Sequence, residues 1–442
     1  MGLNVEKCIE LHNRIVQHAC SHLPPENQPK IQRNWFAAHS LDPISPGLDV
    51  ELGDDLEAFL SGIDIVLPEA HQHLAFLPLL VGVAGPNELR PDGWDNFEEN
   101  DDFILLYKNT GYDPGGLVLS QTTRQVCLLD DALNDPRDCL FGELDAVLEC
   151  YMRSIESGKF VVDPGYPRFG DGDNLVTQGW RIELWTQTEL TQTLSVWSSF
   201  VDAIVARMPA RTGAVPQQEG NNNVLVPSVI LDLYPAIPPF ARAFLAKAKK
   251  PPFTLVAPNI QVPNEEFIHQ VGAQLQDMYP ESSINTPQHE IFDFRHFLLF
   301  PWRTQREFSS VDDRDIWQPG SSRPRVLNNR AGLYLMPGNL YAHASALLLP
   351  FPLGKNGCVL KGDGTVVDRP GQDVLYQHGL CNPFLPADGT PLAAILTNWW
   401  EQVENDDWEV DEDGITGGDE LWANADTEDY AEDFKIDHGY CV

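Results

Sequence analysis

The chain has 442 residues, 43% hydrophobic and 10% aromatic, which is long enough for two packed cores and too apolar for a disordered protein. Its 65 acidic and 29 basic side chains leave a net charge of −36, a field that repels phosphate backbones and argues against nucleic-acid binding by counterion release. No run of about 18 apolar residues is present, so no membrane span is expected.

The chain opens on an amphipathic pattern over 5–22, with Val5, Cys8, Ile9, Leu11, Ile15 and Val16 as the apolar stripe and Pro24-Pro25 as the stop. A short helix is expected from Asp54 to Leu60, then an apolar stretch from Ile63 to Ala84. Phe103 to Tyr107 is a continuous apolar run of the kind found in buried strands. Leu117–Ser120 and Gln125–Leu129 flank Gln121-Thr122-Thr123-Arg124 as a hairpin. A helix follows over 143–157, its apolar residues at three- and four-residue spacing, with Gly158 suited to end it.

In the middle, Arg181–Trp185 reads as a strand and Leu190 to Met208 as a strong helix stopped by Pro209. Residues 209–223 are rich in Gln and Asn and form a loop. Val224–Leu233 is strand-like, Phe240–Ala248 helical, and Phe253–Val256 a strand. Further on, Leu333–Leu335 and Leu347–Leu349 are apolar runs. Gly362-Asp363-Gly364 then marks a hairpin between Cys358–Leu360 and Thr365–Val367, and a helix covers about 391–404. From Glu401 to Asp437 there are 16 acids and one base, and this end reads as an exposed tail.

One segment occurs twice. Leu144, Val147-Leu148, Tyr151, Ile155-Glu156, Phe160 and Val162-Asp163 return 248 residues later as Leu392, Ile395-Leu396, Trp399, Val403-Glu404, Trp408 and Val410-Asp411. The matched positions are packing positions, which points to a duplicated unit. A second match pairs Val66-Leu67-Pro68 and Phe76-Leu77 with Leu233-Tyr234-Pro235 and Phe244-Leu245. The expected architecture is α+β, with antiparallel sheets backed by helices in two related units: 1–175, 176–411 containing the 209–223 loop, and an acidic tail over 412–442.

The order of elements over 55–160 resembles the SUKH superfamily. The resemblance rests on Leu67-Pro68, a strand ending in Asn109-Thr110-Gly111, the hairpin from Gly115-Gly116-Leu117 to Leu128-Leu129, and the closing helix from Glu143. It implies an antiparallel sheet backed by helices and a protein-binding or regulatory role, and it transfers no site residue. Ala331-Gly332-Leu333-Tyr334, Leu347–Leu353 and Leu375-Tyr376-Gln377-His378-Gly379 resemble proteins of filamentous fungi without an assigned activity.

P-loop, dinucleotide-binding, nucleophile-elbow, H-E-x-x-H and EF-hand signatures are all missing. The densest cluster of reactive side chains is His289, Asp293 and His296, followed by Arg303 and Arg306 and then Arg323, Arg325 and Arg330. On a helix His289, Asp293 and His296 share a face and suit a divalent metal. On a strand Asp293 and Arg295 pair instead, and the strand reading fits Phe297–Phe300 better. The arginines suit an anionic ligand or simply neutralise nearby acids. The eight cysteines form no C-x-x-C pair, and no N-x-[ST] acceptor occurs, so reduced thiols in a cytoplasmic protein without cofactor or metal are expected. The expected function is a binding or regulatory module for a basic protein partner. The alternative is an enzyme on a lineage-specific fold using the His289–Arg306 cluster in a pocket between the units.

Overall fold

The computed structural model describes residues 3–41, 48, 50–67, 75–78, 80–90, 102–109, 115–129, 135–164, 179–209, 223–279, 296–304, 330–335, 345–362, 364–367, 372–377, 383–384 and 390–436. It is an α+β protein divided into two compact units. Unit 1 is Met1–Glu183 with Leu380–Pro386 and His438–Val442; unit 2 is Leu184–Gly379 with Ala387–Asp437.

Unit 1 begins with α1 (Val5–Ser21), started by the Asn4 side chain, which accepts from the Lys7 amide. Cys8, Leu11, His12, Ile15, Val16 and Ala19 form its buried stripe. Strand β1 (Lys30–Arg33) pairs antiparallel with β2 (Asp64–Leu67), enclosing the short helix α2 (Trp35–Ala38) and α3 (Asp54–Gly62). A five-stranded antiparallel meander follows: β3 (Leu80–Val83), β4 (Phe103–Asn109), β5 (Gly116–Ser120), β6 (Gln125–Leu129) and β7 (Gly142–Glu143). Helix α4 (Leu144–Glu156) packs against α1, and β8 (Phe160–Val162) pairs with β9 (Trp180–Ile182).

Unit 2 begins with α5 (Gln187–Arg207), fixed at its start by a capping box between Thr186 and Glu189. The region expected as a strand over Val224–Leu233 contributes a single bridge, Val224 to Lys249, and then the short helix α6 (Ser228–Leu231). Pro227 and the following turn stop the strand there. Next come α7 (Pro239–Lys247), β10 (Leu255–Ala257), β11 (Ile260–Gln261) and α8 (Glu265–Met278). The sequence reading missed α8, although Asn264 caps it and Ile268, Val271 and Leu275 are its buried face. A four-stranded antiparallel meander joins β12 (Phe297–Pro301), β13 (Gly332–Leu335), β14 (Ser345–Leu353) and β15 (Gln372–Leu375). Helix α9 (Leu392–Glu404) packs on α5. Strand β16 (Val410–Asp411) then pairs with β17 (Gly414–Ile415), which runs parallel to β10, and α10 (Asp419–Ala423) follows.

The two units share one internal plan. Helices α4 and α9 are each 13 residues long and start 248 residues apart. Both end in a Schellman motif: Lys159 N–H bonds to Ser154 C=O as Asp407 N–H does to Gln402 C=O, around left-handed residues Gly158 (φ +79°) and Asp406 (φ +61°). Upstream, positions correspond at an offset of 185. His12 and Trp197 are both buried, and each ring N–H donates to the carbonyl two residues past a nine-residue helix, Asp64 and Lys249 respectively. Ring contacts repeat as well: His12–Phe59 is edge-on at 6.1 Å and Trp197–Phe244 at 5.9 Å. The true partner of α7 is therefore α3, and the expected match of 65–77 with 230–245 is out of register. The expected hairpin between Cys358–Leu360 and Thr365–Val367 is present. It sits between β14 and β15, held by a bridge from Leu360 to Val366.

Two expectations are corrected. The segment expected as an exposed tail is folded over 412–436: Ile415 and Trp422 are fully buried and Phe434 nearly so. Acidity misled because most of the acids lie on the outside of a segment that buries Ile415, Trp422 and Phe434. Cys150 is disulfide-bonded, where reduced thiols were expected throughout, while Cys8, Cys20, Cys127 and Cys358 carry free thiols.

Candidate binding face

Of the cluster singled out in the sequence, His289, Asp293, Arg306, Arg323 and Arg325 lie outside the described residues. His296 is buried immediately before β12, and exposed Arg303 follows its other end, so the strand separates the two rather than gathering them. Arg303 shares its end of the sheet with Arg330, because β12 and β13 run antiparallel with Pro301 opposite Gly332. Arg330 Nη1 donates to Gln270 at 3.1 Å. Among the described residues no group of three or more His, Cys, Asp or Glu is placed to hold a metal ion, and no helix is long and apolar enough to cross a membrane. His343 and His378, lone histidines of a type able to serve as general bases near neutral pH, are outside the described residues. Trp399, Trp408 and Trp422 are core residues in mutual ring contact at 5.3–6.3 Å, and half-buried Trp400 donates to Glu404.

What the fold does build is an acidic face at the C-terminal end of α9. Glu401 and Glu404 occupy the last turn, Asp406 and Asp407 follow the cap, and Glu409, Asp411 and Asp413 line the β16–β17 hairpin; all are exposed. The helix end carries the negative pole of its macrodipole, and its last turn holds no basic residue, so these charges stand at the unfavourable end. Arg207 offsets part of this, reaching Glu404 at 3.2 Å and Asp406 at 3.5 Å. Its hydrogen bond holds the Glu404 carboxyl below the usual range. The Asp407 carboxyl is raised from its ordinary value, by desolvation first and then by the charges of Asp433 and Asp406. The face is rigidly backed. Asn398 and Gln402, both buried on α9, donate to the Asp433 carbonyl at 2.6 and 3.0 Å. The Asp426 carboxylate accepts from the Asn356 and Cys358 amides at 2.9 and 3.1 Å.

Unit 1 shows what the same scaffold needs. Buried positions of α4 and its hairpin keep their character in α9: Val147 and Ile395, Tyr151 and Trp399, Phe160 and Trp408 are all buried. Several surface positions do not, although Glu156 and Asp163 match Glu404 and Asp411 as acids. Arg153, Gly158, Lys159 and Val161 correspond to Glu401, Asp406, Asp407 and Glu409. The sequence shows the acidity, but only the structural equivalence shows that the fold does not require it at these positions.

No protein-family model matches the chain, and no curated protein or solved structure is significantly similar to it.

Proposed function

We propose that the protein is a binding or regulatory module in which the acidic face of unit 2 receives a basic segment of a partner protein. The observation that carries this reading is the exchange of Arg153, Gly158 and Lys159 for Glu401, Asp406 and Asp407 on otherwise equivalent scaffolds. Like charges crowded at the wrong pole of a helix, with a non-glycine residue in a left-handed position, oppose stability. A cationic ligand relieves that cost on binding and is steered by the same field. An antiparallel sheet backed by helices in each unit is in keeping with the SUKH-like reading of unit 1 as a protein-binding fold.

The reading includes a cytoplasmic location, which the free thiols among the described residues support and the disulfide at Cys150 opposes, because such bonds are uncommon in reducing compartments. It excludes nucleic acid as the ligand on the ground of net charge.

The test exchanges the unit 1 residues into unit 2. A Glu401→Arg, Asp406→Gly, Asp407→Lys variant and the parent chain are assayed against arrayed Lys- and Arg-rich peptides at low and high salt. Binding by the parent that fades with salt and is lost in the folded variant supports the proposal. Equal binding by both proteins, or none by the parent, overturns it.

A further inference from the structure

Helix α1 ends in two histidines one turn apart, His18 and His22, with ring centroids 4.2 Å apart and planes at 34°. His18 is half-buried and His22 exposed. The geometry points to a divalent transition-metal site on these two imidazoles.

Three features make the pair more than neighbours on a helix. First, His22 Nδ1 lies 2.8 Å from the His18 carbonyl. A carbonyl only accepts, so Nδ1 carries the proton and Nε2 presents its lone pair outward. This is the backbone hydrogen bond that orients metal-ligating histidines generally. The Ser21 hydroxyl donates to the same carbonyl at 3.0 Å and lies 3.3 Å from Nδ1, which braces that arrangement.

Second, the His18 ring lies nearly parallel to the fully buried Trp180 ring, at 13° and 6.4 Å, so its orientation is set by packing rather than left to a mobile side chain. An ion about 2.1 Å from each of two nitrogens holds them about 3 Å apart, which is compatible with the observed ring spacing.

Third, the electrostatics favour a cation. The pair sits at the negative pole of a 17-residue helix. Burial, and then the neighbouring His22, lower the His18 pKa from its ordinary value. Glu156, paired with Arg14 at 2.8 Å, is the nearby carboxylate acting on His18 in the opposite sense. With two side-chain ligands the site is open, and its remaining positions fall to water. Imidazole pairs of this kind suit Cu²⁺, Ni²⁺ and Zn²⁺, with Cu²⁺ favoured among them.

The test titrates the full chain with Ni²⁺ and Cu²⁺ by calorimetry near pH 7.5, with electron paramagnetic resonance of the Cu²⁺ form. One equivalent is expected to bind, with Cu²⁺ tighter than Ni²⁺ and with coupling to two imidazole nitrogens. His22→Gln is the decisive variant, because its side chain is exposed and its loss leaves the core intact. It should weaken binding by more than about tenfold, the lower limit for loss of even an outer-shell partner. His18→Gln should do the same. Unchanged affinity in His22→Gln, or a Cu²⁺ spectrum without two nitrogens, overturns the site.

Discussion

His12 illustrates how a single position sets a pH limit on the fold. Its ring is 1% exposed, stacked on Phe76 at 4.7 Å, with Nε2 donating to the Asp64 carbonyl and Nδ1 accepting from the Tyr107 hydroxyl. Burial lowers its pKa to about 4, from about 6.5 when unfolded. The unfolded chain therefore binds the proton first, and stability falls as pH drops from about 6.5 to about 4. The loss is on the order of 3 kcal/mol. Urea midpoints measured across this window should fall steeply for the parent and much less for His12→Gln; parallel curves would reject the assignment. Gly116 sets a second limit. Its φ is +136°, and a Cβ there would lie 1.9 Å from the Tyr107 carbonyl oxygen. Gly116→Ala should cost on the order of 3 kcal/mol, read as a fall in the melting temperature of unit 1.

At the scale of elements, α4 and α9 are one helix design with two surfaces. Both bury the same stripe and end in the same Schellman turn, yet one carries exposed Arg153 and half-buried Lys159 where the other exposes Glu401 and Asp407. Reversing an unfavourable charge at a helix pole is worth about 0.3–1 kcal/mol. Asp406→Gly removes left-handed strain at φ +61°. The triple exchange used above should therefore raise the stability of unit 2 by about 1–2 kcal/mol at low salt while abolishing peptide binding. The sign at Asp407 agrees: a carboxyl raised in the folded state opposes folding when charged, so acidification through its folded-state range relieves that cost in the parent and not in the exchange variant. Chemical denaturation at two salt concentrations separates these outcomes, and a destabilised triple variant would contradict the account.

For the whole molecule, the acidic C-terminal stretch belongs to the body of unit 2. Strand β17 pairs with both β10 and β16. The Trp422 ring N–H donates to the Pro258 carbonyl at 2.7 Å and its face meets Trp399, Trp408 and Phe434. Truncation after residue 411 should unfold unit 2, with loss of near-ultraviolet circular dichroism from the packed tryptophans. Trp422→Ala should cost about 3–5 kcal/mol. A truncated chain that keeps its native spectrum would restore the tail reading. Binding lost on such a truncation reports unfolding, so the charge exchange is the cleaner test of the acidic face.

The linear order of residues by itself determined the helices with regular apolar spacing, α1, α4, α5 and α9, and the hairpin β5–β6, because burial of one face leaves a period that no neighbour needs to reveal. It also showed the 248-residue repeat. It did not show that α3 matches α7 or that His12 matches Trp197, since those pairs share a place in the core and not a residue type. Short elements such as α6, and the mid-chain helix α8, went unread because a few apolar residues do not distinguish a turn, a strand and a helix. The candidate face was half legible: composition announced the acids, but an acidic run reads as a solvated tail until Ile415, Trp422 and Phe434 are seen to be buried beneath it. Only tertiary packing decided that, because which side of a short irregular segment faces the core depends on strands and helices more than 100 residues away in sequence.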